Sequence, residues 1–381
     1  MKVEVAVHGR FHAFDLAKGL YRKGHLGTLH TTYPSFAVRR VTGVGLTLNC
    51  APHLEVIRRL AQRSTRQDVT DFILERFGRF VARNLGRSGT DLLVGWSSVT
   101  LEAIPVARDK GMAVVVDRGA SHIVHQDNIL TMAYQELDLE FPGISRRVIG
   151  REMKEYLAAD KIIVPSTVAA NSFVDHGIAP EKLAVVRLGV DTERFRPVAR
   201  SSRSGKPRIL FVGSIGIQKG TPRLLQSFAP LSRQAELHLV GPVEQEFARA
   251  LEGLPTDGVT FRGPVAKHKI PKIYTEADIF CLPSVHEGFG MVVLEAMAAG
   301  LPVVVSDQVG AADVINNGES GYVFPVASGE ALTEILAGLI CNPKLRQEIG
   351  QTARQEAESR ENTWDGYVDR VVPVLSSVAG R

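Results

Sequence analysis

Two glutamates, Glu287 and Glu295, bracket a glycine-rich turn in the string HEGFGMVVLEAMAAG. Gly288 and Gly290 flank Phe289, so the backbone there is free to adopt conformations closed to other residues. A helix pattern begins near Met291 and ends at Gly300, with Met291 and Val292 in its first turn. The unpaired N–H groups of such a helix start attract phosphate. Carboxylates beside it accept hydrogen bonds from vicinal hydroxyls, as acidic residues do with ribose in dinucleotide sites. A ligand that is both hydroxyl-rich and phosphorylated satisfies this set, and a nucleotide sugar is one. A lysine supports the same chemistry: in FVGSIGIQKG a strand ends at Gly213, Ser214 begins the loop, and Lys219 opens the next helix, placed to neutralise a diphosphate. In the first half of the chain, Gly9 and Arg10 follow the first strand. His122, with His125 as its competitor, follows a core strand in DRGASHIVHQ, where Asp117, Arg118 and Ser121 crowd together.

The string from Glu287 to Glu295 resembles the EGFG…E signature of family 4 retaining glycosyltransferases, which have the GT-B fold. The resemblance covers about 159–324 specifically and the preceding residues loosely. It implies that Glu287 contacts the donor sugar, Glu295 the ribose, and the amides around Gly288–Val292 the diphosphate. Lys219 matches the family's diphosphate lysine, whereas Ser214 stands where the family usually has arginine, leaving Arg10 as a substitute cation. Val265, in FRGPVAKHKI, falls on the loop that holds the base through main-chain groups. Gly9 falls on the turn that approaches the diphosphate. His122 takes the place of a histidine facing the donor sugar. The resemblance further implies front-face attack, with the leaving phosphate helping to deprotonate the acceptor.

The elements that must position these residues alternate regularly. Short β-branched runs at 3–7, 92–95, 113–116, 161–164 and 183–186 form one series. Runs at 208–212, 236–240, 259–261, 278–282, 302–305 and 321–324 form another, with helical patterns between. This predicts an α/β protein of two tandem Rossmann-like domains with a cleft between the carboxyl ends of their sheets. The expected division is an acceptor-side domain over 1–190, a polar linker over 191–206, and a nucleotide-sugar domain over 207–362. A last helix within 363–381 is expected to pack back on the first domain. The chain has 381 residues, enough for two full cores. Its three cysteines form no CxxC pair, which argues against a disulfide framework or zinc site and for a reducing compartment. Neither a signal peptide nor an apolar stretch of membrane-spanning length is legible, so a cytoplasmic location is expected.

The formal net charge of +4 is too small to argue for nucleic acid, but it is unevenly spread. Residues 35–90 carry ten arginines against four acids, an excess of +6. Arg76, Arg79, Arg83 and Arg87 line up beside an apolar helical stripe that includes Val69, Phe72, Ile73 and Phe77. Such a row suits a lipid-linked acceptor or the anionic face of a membrane. The combined expectation is transfer of a sugar from a UDP-, GDP- or other nucleotide-diphosphate donor to a glycan or lipid-linked acceptor, in surface-polysaccharide or lipopolysaccharide synthesis. No D-x-D string occurs, so neither metal nor cofactor is expected. The alternatives are a nucleotide-sugar 2-epimerase of the same architecture, a nicotinamide oxidoreductase, disfavoured because no GxGxxG follows a strand, and a non-catalytic sugar-nucleotide binder.

Overall fold

A computed structural model describes residues 1–61, 67–86, 89–197 and 205–379. Two parallel sheets organise them. The first contains β1 (Val3–Val7), β2 (Leu26–Thr31), β3 (Leu48–Cys50), β4 (Leu92–Trp96), β5 (Ala113–Asp117), β6 (Lys161–Val164) and β7 (Leu183–Val185), in the order β3-β2-β1-β4-β5-β6-β7. The second contains β8 (Arg208–Val212), β9 (Glu236–Val240), β10 (Val259–Gly263), β11 (Ile279–Leu282), β12 (Val303–Ser306) and β13 (Gly321–Phe324), in the order β10-β9-β8-β11-β12-β13. The central strands are buried throughout, which is why they read as continuous apolar runs: a parallel sheet covered on both faces has no solvent side.

The first sheet carries α1 (Ala13–Arg22), α2 (Ser35–Thr42), α3 (Pro52–Ala61), α4 (Gln67–Asn84), α5 (Ala103–Asp109), α6 (Ile123–Gln135), α7 (Arg146–Ala158) and α8 (Thr167–Val174). The second carries α9 (Thr221–Phe228), α10 (Gln245–Leu251), α11 (Ile270–Thr275), α12 (Met291–Ala298), α13 (Gly329–Cys341) and α14 (Pro343–Glu358). The last helix, α15 (Trp364–Ser376), packs on α1, where Gly19 lies so close to Val368 that a Cβ would approach its methyl to 2.2 Å. The chain crosses between the sheets at Val190, whose N–H donates to Asn362 O at 2.8 Å. The middle of the expected linker, 198–204, lies outside the described residues, as does Arg87.

Strands β2 and β3 have no counterpart in the sequence reading. β2 hides a polar pair in the core: His30 Nε2 lies 2.5 Å from Glu4 Oε2 on neighbouring β1, both side chains fully buried. The reading of α4 also needs correction. Ile73, Phe77 and Val81 face inward, but Phe72 is 45% exposed and stands on the arginine side, under the guanidinium of Arg76.

Candidate active site

The carboxyl ends of both sheets face one cavity of 1240 Å³. On its second-domain side, β11 delivers the chain into the turn before α12. Gly290 takes a left-handed φ of 89° and caps the helix without a side-chain acceptor, so the first N–H groups of α12 keep their hydrogen-bonding capacity. Met291 and Val292 line the cavity, as do Glu287, Phe289, Gly290 and Glu295. The Glu287 carboxylate accepts from Lys219 Nζ, so the cation sits at the helix start. The turn itself is fixed by main-chain bonds to the following segment, Gly310 N to Glu287 O at 3.0 Å and Glu287 N to Gln308 O at 3.1 Å.

Glu295 lies one turn into α12. Burial raises its carboxyl to about 7, against the lowering effects of a 3.0 Å hydrogen bond from Tyr274 Oη and the charges of Arg194 and Lys267. Those two cations line the same part of the cavity. Val212 is the wall residue at the end of β8. Gly213, Ser214 and Lys219 follow it on the loop behind Glu287, and Val265 is half-buried beyond β10. Arg10 lines the opposite wall and has no hydrogen-bond or ion-pair partner among the described residues.

His122 requires a correction. It is fully buried, absent from the cavity wall, and packed against Tyr156, Phe173 and His176. Burial, with the charges of His176, Arg118 and His125 adding to it, pushes its imidazole down to about 4. The residue stands at the amino cap of α6, where the chain has already turned back into the core. Its competitor His125 is not a wall residue either.

Two histidines line the cavity, His8 at the end of β1 and His12 in the turn between β1 and α1, and His12 is the one held by a carboxylate. Its Nε2 lies 3.1 Å from both carboxylate oxygens of Asp117, the last residue of β5, and its ring stands 4.9 Å from that of Trp96. Asp117 is almost fully buried, so it fixes the orientation of the ring. The turn that carries His12 is held from β2. Gly9, at a φ of 92°, donates its N–H to Thr32 Oγ1, and Thr31 Oγ1 donates to Gly9 O, both at 3.0 Å.

A second wall segment, Ser97–Val99, follows β4. Ser98 holds a left-handed φ of 72°, which costs on the order of 1–3 kcal/mol in a residue with a side chain. Two carboxyls of α7 offset that cost. Glu155 accepts the N–H groups of Ser98, Thr100 and Leu101 at 2.7, 2.8 and 2.9 Å, and Glu152 accepts the Ser98 hydroxyl. Glu152 is paired in turn with Arg118, another wall residue, at 3.2 Å. Apart from Arg118, none of this set stood out in the sequence. The visible signal was the polar cluster beyond β5.

The domains touch around the glycine turn. Ser166 Oγ donates to Gly288 O at 2.8 Å, and the Ser121 hydroxyl meets His286 Nε2. Gly288 has no room for a side chain: a Cβ would lie 2.3 Å from Gly119 O.

Comparison with known proteins fits this geometry. Residues 193–356 match the family model described as glycosyl transferases group 1. The sulfoquinovosyl transferase SQD2 of Arabidopsis thaliana is 32% identical over 216 residues, 53% of this chain and 42% of that protein. The MMP alpha-(1->4)-mannosyltransferase of Mycolicibacterium hassiacum is 30% identical over 63% of this chain and 58% of its own length. The chain thus spans about half the length of these curated relatives. Among solved structures, Anabaena HepE in complex with UDP and glucose superposes with a TM-score of 0.69 at 16% identity, covering 99% of this chain and 100% of that one. WaaG, a glycosyltransferase involved in lipopolysaccharide biosynthesis, gives 0.67 at 18% identity with all of both chains covered. Residues 193–356 are thus similar to the glycosyl transferases group 1 family, and the two-domain α/β chain has the GT-B fold.

Proposed function

We propose that the protein is a retaining glycosyltransferase that moves a sugar from a nucleoside diphosphate to a glycan or lipid-linked acceptor without a metal. The observation that carries the reading is Glu287 and Glu295 on the wall of the interdomain cavity at the amino end of α12, with Lys219 bonded to the Glu287 carboxylate from behind. In this reading Glu295 accepts hydrogen bonds from the ribose hydroxyls and Val265 holds the base through its main chain. Lys219 and the free N–H groups of α12 receive the charge that develops on the diphosphate as the bond from the anomeric carbon to phosphate oxygen breaks. Glu287 is shared between Lys219 and the sugar hydroxyls. The acceptor oxygen bonds to the anomeric carbon from the face the diphosphate leaves, and its proton passes to the departing phosphate oxygen. His12, oriented by Asp117, borders the acceptor side, and Arg10 supplies the cation that Ser214 does not. Closed contact between Gly288 and Gly119 keeps water from the donor. Three free cysteines fit a reducing, cytoplasmic setting.

The test is thermal stabilisation by UDP-, GDP-, ADP- and TDP-sugars beside the bare nucleoside diphosphates, since a ligand that binds only the native state raises its melting point. One nucleotide series should stabilise the wild type, with the sugar-bearing member ahead of the bare diphosphate. Glu287→Ala should erase that lead and keep the response to the diphosphate. Failure of every nucleotide, or an unchanged lead in Glu287→Ala, would count against the site. An NMR spectrum of the active donor with enzyme alone should show no epimer, which separates transfer from epimerisation.

A further inference from the structure

We infer that the outer face of α2, α3 and α4 is a docking surface for an anionic lipid bilayer, beside the acceptor side of the cavity. Each of α3 and α4 already buries one apolar face, through Leu54 in α3 and Ile73, Phe77 and Val81 in α4. The three helices carry a second apolar set that the core does not use: Phe36 is 74% exposed, Leu60 63%, Val56 56% and Phe72 45%. Single exposed apolar residues are ordinary, but four on three successive helices, interleaved with arginine, are not. Arg39, Arg40, Arg59, Arg76, Arg79 and Arg83 are all exposed. Arg59 and Arg79 are offset by acids of their own helices, whereas Arg39, Arg40, Arg76 and Arg83 have no ion-pair partner among the described residues. Glu55 is buried against Arg58 and Arg59, and Asp71 is buried against Ser145. Among the described side chains of these helices, Glu75 is the one acid left at the surface, where it pairs with Arg79.

On α4, Phe72, Arg76, Arg79 and Arg83 follow at steps of four, three and four and so form one stripe. Guanidinium groups take phosphate oxygens in pairs while apolar side chains enter the acyl boundary, so this mixture matches a bilayer with anionic headgroups. A nucleic acid would engage the arginines and leave Phe36 and Leu60 in water. The surface borders the cavity, because Val41 of α2 is partly exposed and also lines the cavity wall. A sugar acceptor anchored in that bilayer would enter from this side. That last clause rests on the proposed transferase activity, whereas lipid docking does not.

The test is co-sedimentation of the full chain with mixed phosphatidylcholine–phosphatidylglycerol vesicles and with pure phosphatidylcholine, at low and high salt. Binding should require phosphatidylglycerol and weaken with salt. Each arginine near an anionic surface is worth a factor of about five, so Arg76→Ala/Arg83→Ala should lower the apparent affinity about 25-fold. Phe36→Ala/Leu60→Ala should weaken what remains at high salt. Nucleotide thermal shifts of both variants, unchanged from wild type, show that the fold and donor site survive. Equal binding to neutral vesicles, no binding at all, or binding unchanged in both variants would overturn the inference. Because no donor is needed, its failure is separable from failure of the transferase reading.

Discussion

If Glu295 holds the ribose, donor affinity must follow its ionisation. Burial lifts its carboxyl from 4.5 to about 7. Only the carboxylate accepts both ribose hydroxyls, so affinity should be flat above that value and fall tenfold per pH unit below it. From about pH 8 to about pH 5.5 the loss works out at about 30-fold, or about 2 kcal/mol. The free protein runs the other way. A carboxyl raised above its unfolded value contributes stability at low pH that is lost as pH rises through about 7. Calorimetric titration with the stabilising nucleotide sugar, whose diphosphate diester does not titrate in this window, reads the effect directly. Glu295→Gln should bind about 10- to 100-fold more weakly at pH 8, the worth of hydrogen bonds to a charged group, and should lose the pH dependence. Tyr274→Phe removes a hydrogen bond that lowers the Glu295 carboxyl, so the midpoint should move up. A wild-type affinity that stays level across this range, or a Glu295→Gln protein with the same slope, refutes the reasoning.

Three further outcomes follow from the same geometry. Gly288→Ala places a Cβ against the Gly119 carbonyl and should cut the transfer rate by at least about 100-fold, with donor binding to the second domain retained; a normal rate would show that this closed contact is not used. Asp117→Asn leaves His12 without its carboxylate partner, so the Asp117→Asn and His12→Ala losses should overlap rather than multiply in a double-mutant cycle of kcat. Exhaustive EDTA treatment should leave transfer unaltered, because Lys219 and the start of α12 are assigned the electrostatic role of a cation; activity restored only by added magnesium would contradict that assignment.

The second domain was the more legible half because its chemistry is local. Glu287, Gly290 and Glu295 fall within one turn and one helix, so their spacing already implies a shared ligand. The first-domain site is assembled from distant segments. His12 and Asp117 are 105 positions apart, and nothing in either local string pairs them. Choosing His122 by its position after a core strand failed because the chain runs past the sheet end and caps α6 before reaching it. Strand β2 escaped notice for a related reason: its apolar run is broken by Thr28 and by His30, whose burial is tolerable only against Glu4 on the adjacent strand. Likewise, helical periodicity placed Phe72 on the inner stripe of α4, and only packing shows that the core is filled without it.

The most direct test of the central claim is a crystal structure with the bound nucleotide sugar. The diphosphate should lie within hydrogen-bonding distance of Lys219 Nζ and the first N–H groups of α12, with the ribose on Glu295 and the sugar between Glu287 and His12. A nucleotide seated elsewhere, or one with its ribose away from Glu295, would contradict it.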